Sequence, residues 1–591
     1  MTMAKADSKK LLSCDTDKTD RNDSCIIVGA CKLLLDEKTE DDGISLNSCG
    51  ITSNYSCSSS SLTSTDDNDI TESPTSSSTS VIKSSHVNNF DRTDLWWIHG
   101  NGYDLKDFVH NHPGGIEAIL LGKGRDCTAL VESYHPFSED RVWKLLEKYY
   151  CYTRYHNDDE EEEEQEEKKS TAQKVVTTTT TTIDTMTETC HKQQEQQRLD
   201  RGRGRVPDFF YEILKKRVVN VLKSKGIDAI HDRGASQTRI AYYLMIFILW
   251  SYSGYLHCSA SLWGSFAFAI TGWLMGALGH DAGHFAASRW AVVNEYGVWA
   301  MSFICNPIMW QQQHTYGHHS FTNEFDRDPD LHHFEVLVRV HRKFGYETKY
   351  RFQSNFLYVL FAYLFVVFGT CFWIPWGVLS EGTLYGIVDW NDKDRPTKFY
   401  GMLLHLISYL GIVIVLPILM HESMAKAALA IYLHVATLGI TFALFSQINH
   451  LNETSLESDM DSRQRQLIPG KESKNQDPRL IHSWAASQIE TSNNFASRSM
   501  FWHVVSNGLN HQIEHHLFPG LNHGHLHHIA PIVKQTCEEY GVEYKSYDTW
   551  SDLMNATLEW FDKLSVVDSN GNESDDAVLA VPDNKKSIKI A

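Results

Sequence analysis

From Ile240 to His280 the chain carries no Asp, Glu, Lys or Arg. Few folds in water tolerate such a run. One helix crosses a bilayer with about 20 apolar residues, so this length suits two crossings, with a break near Gly254 to Ser261. Lys215-Lys216-Arg217, Lys223, Lys225, Arg233 and Arg239 precede it. Clustered basic residues mark the cytosolic side, and two crossings return His280 to that side. Three more charge-free stretches follow: Phe352 to Ser380, Phe399 to His421 and Ala427 to Asn452. If the late histidines are to meet the early ones, an even number of crossings must separate them. Pro375 interrupts the first stretch, which is therefore expected in the interface or partly embedded. The other two form a second hairpin, for four spans in all.

The crossings end on histidines. The first hairpin delivers His280-Asp281-Ala282-Gly283-His284. His314-Thr315-Tyr316-Gly317-His318-His319 follows, and Gln512-Ile513-Glu514-His515-His516 lies far downstream. Residues four apart share a helix face, so His280 with His284, and His314 with His318, can aim two imidazoles at one point. His319 follows about 100° further round, placed for a second metal beside the first. His450, in Gln447-Ile448-Asn449-His450, stands at the cytosolic end of the last span. A structural zinc site needs four ligands and a catalytic one three plus water. Eight convergent imidazoles exceed either and point to two metals. The first pair lacks the Glu of a zincin motif. Imidazole alone suits iron, zinc, copper and nickel alike. Asp326, Asp328 and Asp330 read as a wet acidic loop rather than partners of the histidines. His523, His525, His527 and His528, beyond Pro519-Gly520, read as non-ligands.

The rest of the chain divides by composition. Residues 1–87 are Ser, Thr, Asp and Asn of low complexity, with too little apolar surface to offset ordering entropy. Residues 88–156 hold Asp94-Leu95-Trp96-Trp97-Ile98, Gly102-Tyr103-Asp104-Leu105, Phe108, His110-Asn111-His112-Pro113-Gly114-Gly115 and Ser133-Tyr134-His135-Pro136. Two histidines, each followed by Pro, can grip one ligand from opposite sides. Paired axial imidazoles on haem iron leave no open position, which favours electron transfer. Residues 157–205, with the acidic run Asp158 to Glu167, read as a flexible spacer of about 40 Å root-mean-square span. It would let the preceding domain visit a neighbouring site. Residues 206–564 form the membrane domain and 565–591 a loose tail. A net charge of -20 without a basic stripe excludes a nucleic-acid partner. The 12 cysteines form no Cys-x-x-Cys pair and suit a reduced compartment. No apolar signal segment opens the chain, so insertion is expected from internal segments.

Residues 88–156 resemble the cytochrome b5 haem-binding domain, which implies His112 and His135 as axial ligands of haem b. His99 and His110 have no such match and read as surface histidines. The three downstream clusters are similar to the histidine boxes of the membrane fatty acid desaturases. Gln512 in place of the first histidine of the third box, with a haem domain ahead, resembles the front-end desaturases. Trp310-Gln311-Gln312-Gln313-His314 and His516-Leu517-Phe518-Pro519 extend the match. His511 departs from it, standing where that family often carries an aromatic residue. The expected fold is thus a small α+β haem domain followed by an all-α membrane domain with about four transmembrane helices and cytosolic histidine-box helices. The resemblance implies a diiron centre on His280, His284, His314, His318, His319, His450, His515 and His516, with Gln512 beside it. It also implies dioxygen as oxidant and electrons from NAD(P)H through a separate cytochrome b5 reductase and the fused haem. The product would be a cis double bond in a fatty acyl lipid, in the membrane of the endoplasmic reticulum. A membrane hydroxylase and a sphingolipid long-chain-base desaturase use similar boxes. A membrane-anchored electron carrier would need only His112 and His135.

Overall fold

The computed structural model describes residues 93–153, 207–390, 395–456 and 478–566. The expected amino-terminal tail and spacer lie outside the described residues, as does nearly all of the expected carboxy-terminal tail. The first described stretch is a small α+β unit. Its antiparallel sheet runs β1 (Trp96–Ile98), β2 (Asn101–Tyr103), β3 (Tyr150–Thr153). His99 and Gly100 join β1 to β2 with φ of 48° and 72°. Positive φ at both central residues is the two-residue turn whose twist matches the flanking strands. Between β2 and β3 come short helices α1 (Ile116–Leu120), α2 (Thr128–Tyr134) and α3 (Glu139–Leu146). Trp96, Ile98, Leu121, Leu130 and Leu146 form their shared core.

The rest is helical. Gln237–Cys258 and Leu262–Gly283 form the first hairpin, capped by Ser236 and Ser261, whose hydroxyls accept from the Arg239 and Gly264 amides. Gly254 stays inside its helix; the turn falls at Ser259–Ser261, where Ala260 takes φ 52°. Pro396–Met420 and Met424–Ser446 form the second hairpin. His257 ties the two together, its Nε2 3.1 Å from the Val413 carbonyl and its ring 4.9 Å from that of His434.

Among the described residues, four helices are long and apolar enough to cross a membrane: Leu262–Gly283, Phe356–Glu381, Pro396–Met420 and Met424–Ser446. The number matches the expectation and the membership does not. Phe356–Glu381 joins the set, because Pro375 lies in the first turn of its last segment, where a missing N–H costs no hydrogen bond. Gln237–Cys258 leaves it, diluted by Arg239, Ser251, Ser253 and His257, although Leu244, Ile248, Tyr252 and Tyr255 still face outward. Phe356–Glu381 is also not straight. It breaks at Leu364–Phe365 and widens into a π-turn over Gly369–Trp373. The break lies against Gly439, where an added Cβ would sit 2.5 Å from the Tyr363 carbonyl oxygen. Both its flanks touch one short stretch: the Tyr358 hydroxyl donates to the Leu337 carbonyl (2.9 Å), and the Tyr385 hydroxyl lies 3.0 Å from His333 Nδ1. A segment that leaves and rejoins one layer adds no crossing to the count. The start of the first hairpin (Arg239), its end (His280) and the end of the second (His450) gather at that same layer.

The remaining helices cap this layer. Phe209–Ser224 packs Phe210, Leu214, Val218 and Leu222 against Ile513, Leu517, Leu526, Ile529 and Val533. Trp550–Leu564 packs Leu553, Trp560 and Phe561 against Leu331, Phe334 and Val338. Outward faces of the long helices carry Trp263, Leu357, Trp373, Leu404 and Leu419, each more than half exposed. A belt this apolar and this wide fits lipid rather than water, and the protein is an integral membrane protein.

Candidate metal centre

The helix Leu262–Gly283 runs out of the apolar layer at His280, and His284 follows its last turn. Their ring centres are 4.7 Å apart, as i, i+4 spacing requires. Gly283 admits the next element: an added Cβ there would sit 2.2 Å from the Trp310 ring. Trp310 leads into a π-turn over Gln311–His318. Its wider turn closes i to i+5, with the His319 amide donating to the His314 carbonyl. His319 therefore does not lie about 100° round from His318. It lies under His314, Nε2 to Nε2 3.3 Å, and its ring is 4.5 Å from His284 and 4.3 Å from His516. The short helix Gln512–Leu517 supplies His515 and His516, both fully buried.

Among the described residues two all-histidine groups result. Ring nitrogens of His280, His284, His314 and His515 lie within 4.8 Å of one another, and so do those of His318, His450 and His516. His319 stands between the groups. Gln512 lies at the second: its amide nitrogen donates to Nε2 of His450 (3.0 Å) and of His516 (3.1 Å), while Asn449 donates to its oxygen. His511 turns away toward Asn510 and His503. All eight histidines expected at the centre, and Gln512, are thus brought together.

Oxygen acceptors hold the outward nitrogens. His318 Nδ1 donates to Asp328 (2.9 Å), His314 Nδ1 to Asp330 (3.0 Å), His516 Nδ1 to the Gln488 amide oxygen (2.8 Å) and His450 Nδ1 to the Thr491 carbonyl (3.0 Å). Such bonds fix the tautomer and turn the Nε2 lone pair inward, where it can take a metal, or in His450 and His516 the Gln512 amide in its place. The acidic loop is therefore mostly not a wet one. Asp328 is fully buried and Asp330 bonds both Gln313 and His314, whereas Asp326 is exposed as expected. Burial opposes charge on His318, but Asp328 and Asp330 outweigh it and push the imidazole up to about 9. Burial, reinforced by neighbouring imidazoles, holds His284, His319, His515 and His516 well below the ordinary value. Neutral rings with free lone pairs are what a cation needs. His284 Nε2, His280 Nδ1, His319 Nδ1 and both nitrogens of His515 are buried without a hydrogen-bond partner. Unpartnered buried nitrogens facing one another fit a metal pair.

One histidine beyond Pro519-Gly520 lies closer to the others than its place outside the boxes suggests. His523 Nδ1 donates to Asp281 at 2.5 Å, its Nε2 is buried and unpartnered, and its ring lies 4.9 Å from His280 and 4.4 Å from His515. It belongs to the cluster. Its neighbours do not: His525 bonds the Gly234 carbonyl, and His527 and His528 are only partly buried.

In the α+β unit, His112 and His135 face each other with ring centres 6.0 Å apart. His112 Nδ1 donates to the Gly115 carbonyl (3.0 Å) and His135 Nδ1 to the Val131 carbonyl (2.9 Å), which frees Nε2 of each. Burial pushes His135 down to about 4, so its lone pair is available at neutral pH. Gly114 makes room, since a Cβ there would lie 2.8 Å from the His112 ring. The donor set fits a bis-imidazole haem. His110 is exposed, while His99 is only partly so and bonds Glu132 at 2.9 Å.

A cavity opens beside the histidines. Trp273, Met301, Ile304 and Phe442 line its apolar wall, and His280, His314, His318 and Gln512 its polar end.

Residues 259–548 match the family model for fatty acid desaturase, and residues 83–155 match the cytochrome b5-like haem/steroid binding domain. An acyl-lipid (8-3)-desaturase of Physcomitrium patens is 28% identical over 80% of this chain and 89% of its own length. A Delta(5) fatty acid desaturase A of Dictyostelium discoideum is 23% identical over 82% and 92%. An sn-1 linoleoyl-lipid 6-desaturase of Synechocystis is 28% identical over 49% and 75%. No solved structure matches the chain.

Proposed function

Since the chain is a fatty acid desaturase with an amino-terminal cytochrome b5 domain, and its homologues are front-end desaturases, we propose that it inserts a cis double bond into a long, already unsaturated acyl chain. The observation that carries this reading is the meeting of His280, His284, His314, His318, His319, His450, His515 and His516, four of which line a cavity with an apolar wall. We assign these eight as the iron ligands, and His112 and His135 as the axial ligands of haem b. Held there, two irons supply the dioxygen activation that removing two hydrogens from unactivated methylenes demands. The balance is one –CH2–CH2– unit of the acyl chain, one O2, two electrons and two protons in, and one alkene and two waters out.

The residues' own part is positional. Trp273, Met301, Ile304 and Phe442 give an acyl chain a dry wall beside the imidazoles, which excludes water from the reacting carbons. Asp328, Asp330, Gln488 and Thr491 hold the rings in place. Gln512 stands within reach of both His450 and His516 and orients them without contributing a strong ligand. Relatives named as acyl-lipid desaturases support an acyl-lipid substrate. A cytochrome b5 reductase drawing on NAD(P)H would supply the electrons. The basic cluster from Lys215 to Arg239 supports a cytosolic histidine layer, in the endoplasmic reticulum membrane.

The test is expression in yeast fed with candidate fatty acids, the new double bond being located by mass spectrometry. His516→Ala is expected to abolish product while the haem spectrum survives. Unchanged product would overturn the assignment, and a hydroxylated product would favour the hydroxylase reading.

A further inference from the structure

The α+β unit is seated on the membrane domain, and its seat is specific. Glu117 pairs with Arg395 (2.5 Å) and with Lys398. Arg125 is 8% exposed and donates to the Gln312 side chain (2.8 Å), two residues from His314. Glu139 takes Lys215 at 2.5 Å, and Phe137 stacks on Phe518 just beyond the third box. These contacts put α2 against the first box. At its end the Tyr134 oxygen lies 2.6 Å from His284 Nδ1 in a buried contact, and the next residue is His135. With Nε2 given to a metal, Nδ1 carries the proton, so the imidazole donates and the phenol oxygen accepts.

We propose that Tyr134 is the bridge by which the haem domain delivers electrons: His135, the Tyr134 backbone and ring, and His284 form one continuous path of covalent bonds closed by a single hydrogen bond. This rests on the reading that the haem feeds the iron pair. Each transfer oxidises haem from ferrous to ferric and reduces one ferric ion of the pair to ferrous, and two transfers supply the two electrons of one turnover. A pyridine-nucleotide-dependent reductase replenishes the haem. The seat changes what a tether is for. A carrier that roamed would need a free face, whereas here Glu117, Arg125 and Glu139 fix the axial-ligand helix in one orientation. Tyr134 is a positioning residue: it touches His284, not the substrate.

Two measurements on the purified full chain test this. A zero-length carbodiimide should join the Glu117 carboxylate to the Lys398 amine, seen as a cross-linked peptide by mass spectrometry and lost in Lys398→Arg. No cross-link in the wild type overturns the seat. Flash photoreduction of the haem under argon then follows its reoxidation by the iron pair. Tyr134→Phe should keep haem content and the cross-link yet slow reoxidation, taken per bound iron, about 10–100-fold, the activity cost of losing a partner that orients a metal ligand. Reoxidation at the wild-type rate in Tyr134→Phe overturns the path and leaves the proposed function standing. A wild-type haem that keeps its electron overturns both. Should Tyr134→Phe lose haem, Glu117→Gln serves instead, since it weakens the seat at a side chain paired with Arg395 and Lys398 and bonded to none of the imidazoles; an unchanged reoxidation rate there also counts against the proposal.

Discussion

At the scale of single residues, the centre is a set of imidazoles of which His314, His318, His450 and His516 are each aimed by an acceptor oxygen behind the ring. Asp328 is the strongest case, fully buried and accepting from His318 Nδ1 and from the amides of Asn323 and Asp330. Asp328→Asn keeps the volume and removes the charge. It is expected to lower iron affinity about 10–100-fold, read as iron per haem in the purified protein. His523 gives a sharper contrast. His523→Ala should lose iron on the same scale because its Nε2 stands unpartnered beside His280 and His515, whereas His525→Ala, two residues on, should retain it. Equal iron in both variants would return His523 to the periphery. The seven box histidines and Gln512 were legible because they cluster at short helical spacings, and His450 because it stands at the end of the last apolar span. His523 was not, because its partner Asp281 lies in another helix and no local period connects them. Asp328 and Asp330 were hidden for a related reason: a carboxylate in a polar loop looks solvated until the histidine it serves is folded over it.

At the scale of elements, the second box shows how a local irregularity decides a site. An ideal helix over Gln311–His319 would have turned His319 away from His314; the π-turn brings it beneath. Spacing arguments assume the regular period and so gave His314 and His318 one shared target, where the structure divides them between the two groups, and set His319 at the wrong angle. The same holds for Phe356–Glu381, where composition revealed an apolar segment but not the break that brings both its flanks back to one layer. Contact between the first and second boxes depends on Gly283, with the Trp310 ring where a side chain would go. Gly283→Val should push Trp310 and the π-turn outward, since overpacking a filled core costs about 1–3 kcal/mol. The expected result is loss of iron and of product with the haem absorbance intact. Wild-type iron content in Gly283→Val would mean the boxes tolerate a wider separation than their ring contacts suggest.

At the scale of the whole molecule, the membrane topology and the site are one constraint. Histidines from both ends of the chain can share a metal pair only if each hairpin leaves and returns through the same face. The ends at Arg239, His280 and His450 do lie together, and the turns at Ser259–Ser261 and His421–Ser423 lie away from them. Leu357, Trp373, Leu404 and Leu419 then face lipid between the two levels. This gives a test that needs no activity. A single cysteine placed in a cysteine-depleted chain at Ser259 or at Glu422, in sealed microsomes, should react with an impermeant thiol reagent only after the membrane is opened. One at Arg327 or Lys534, on the histidine side, should react at once. Labelling of Ser259→Cys and Lys534→Cys from the same side would break the first hairpin, and with it the route by which His280 and His515 come to face each other.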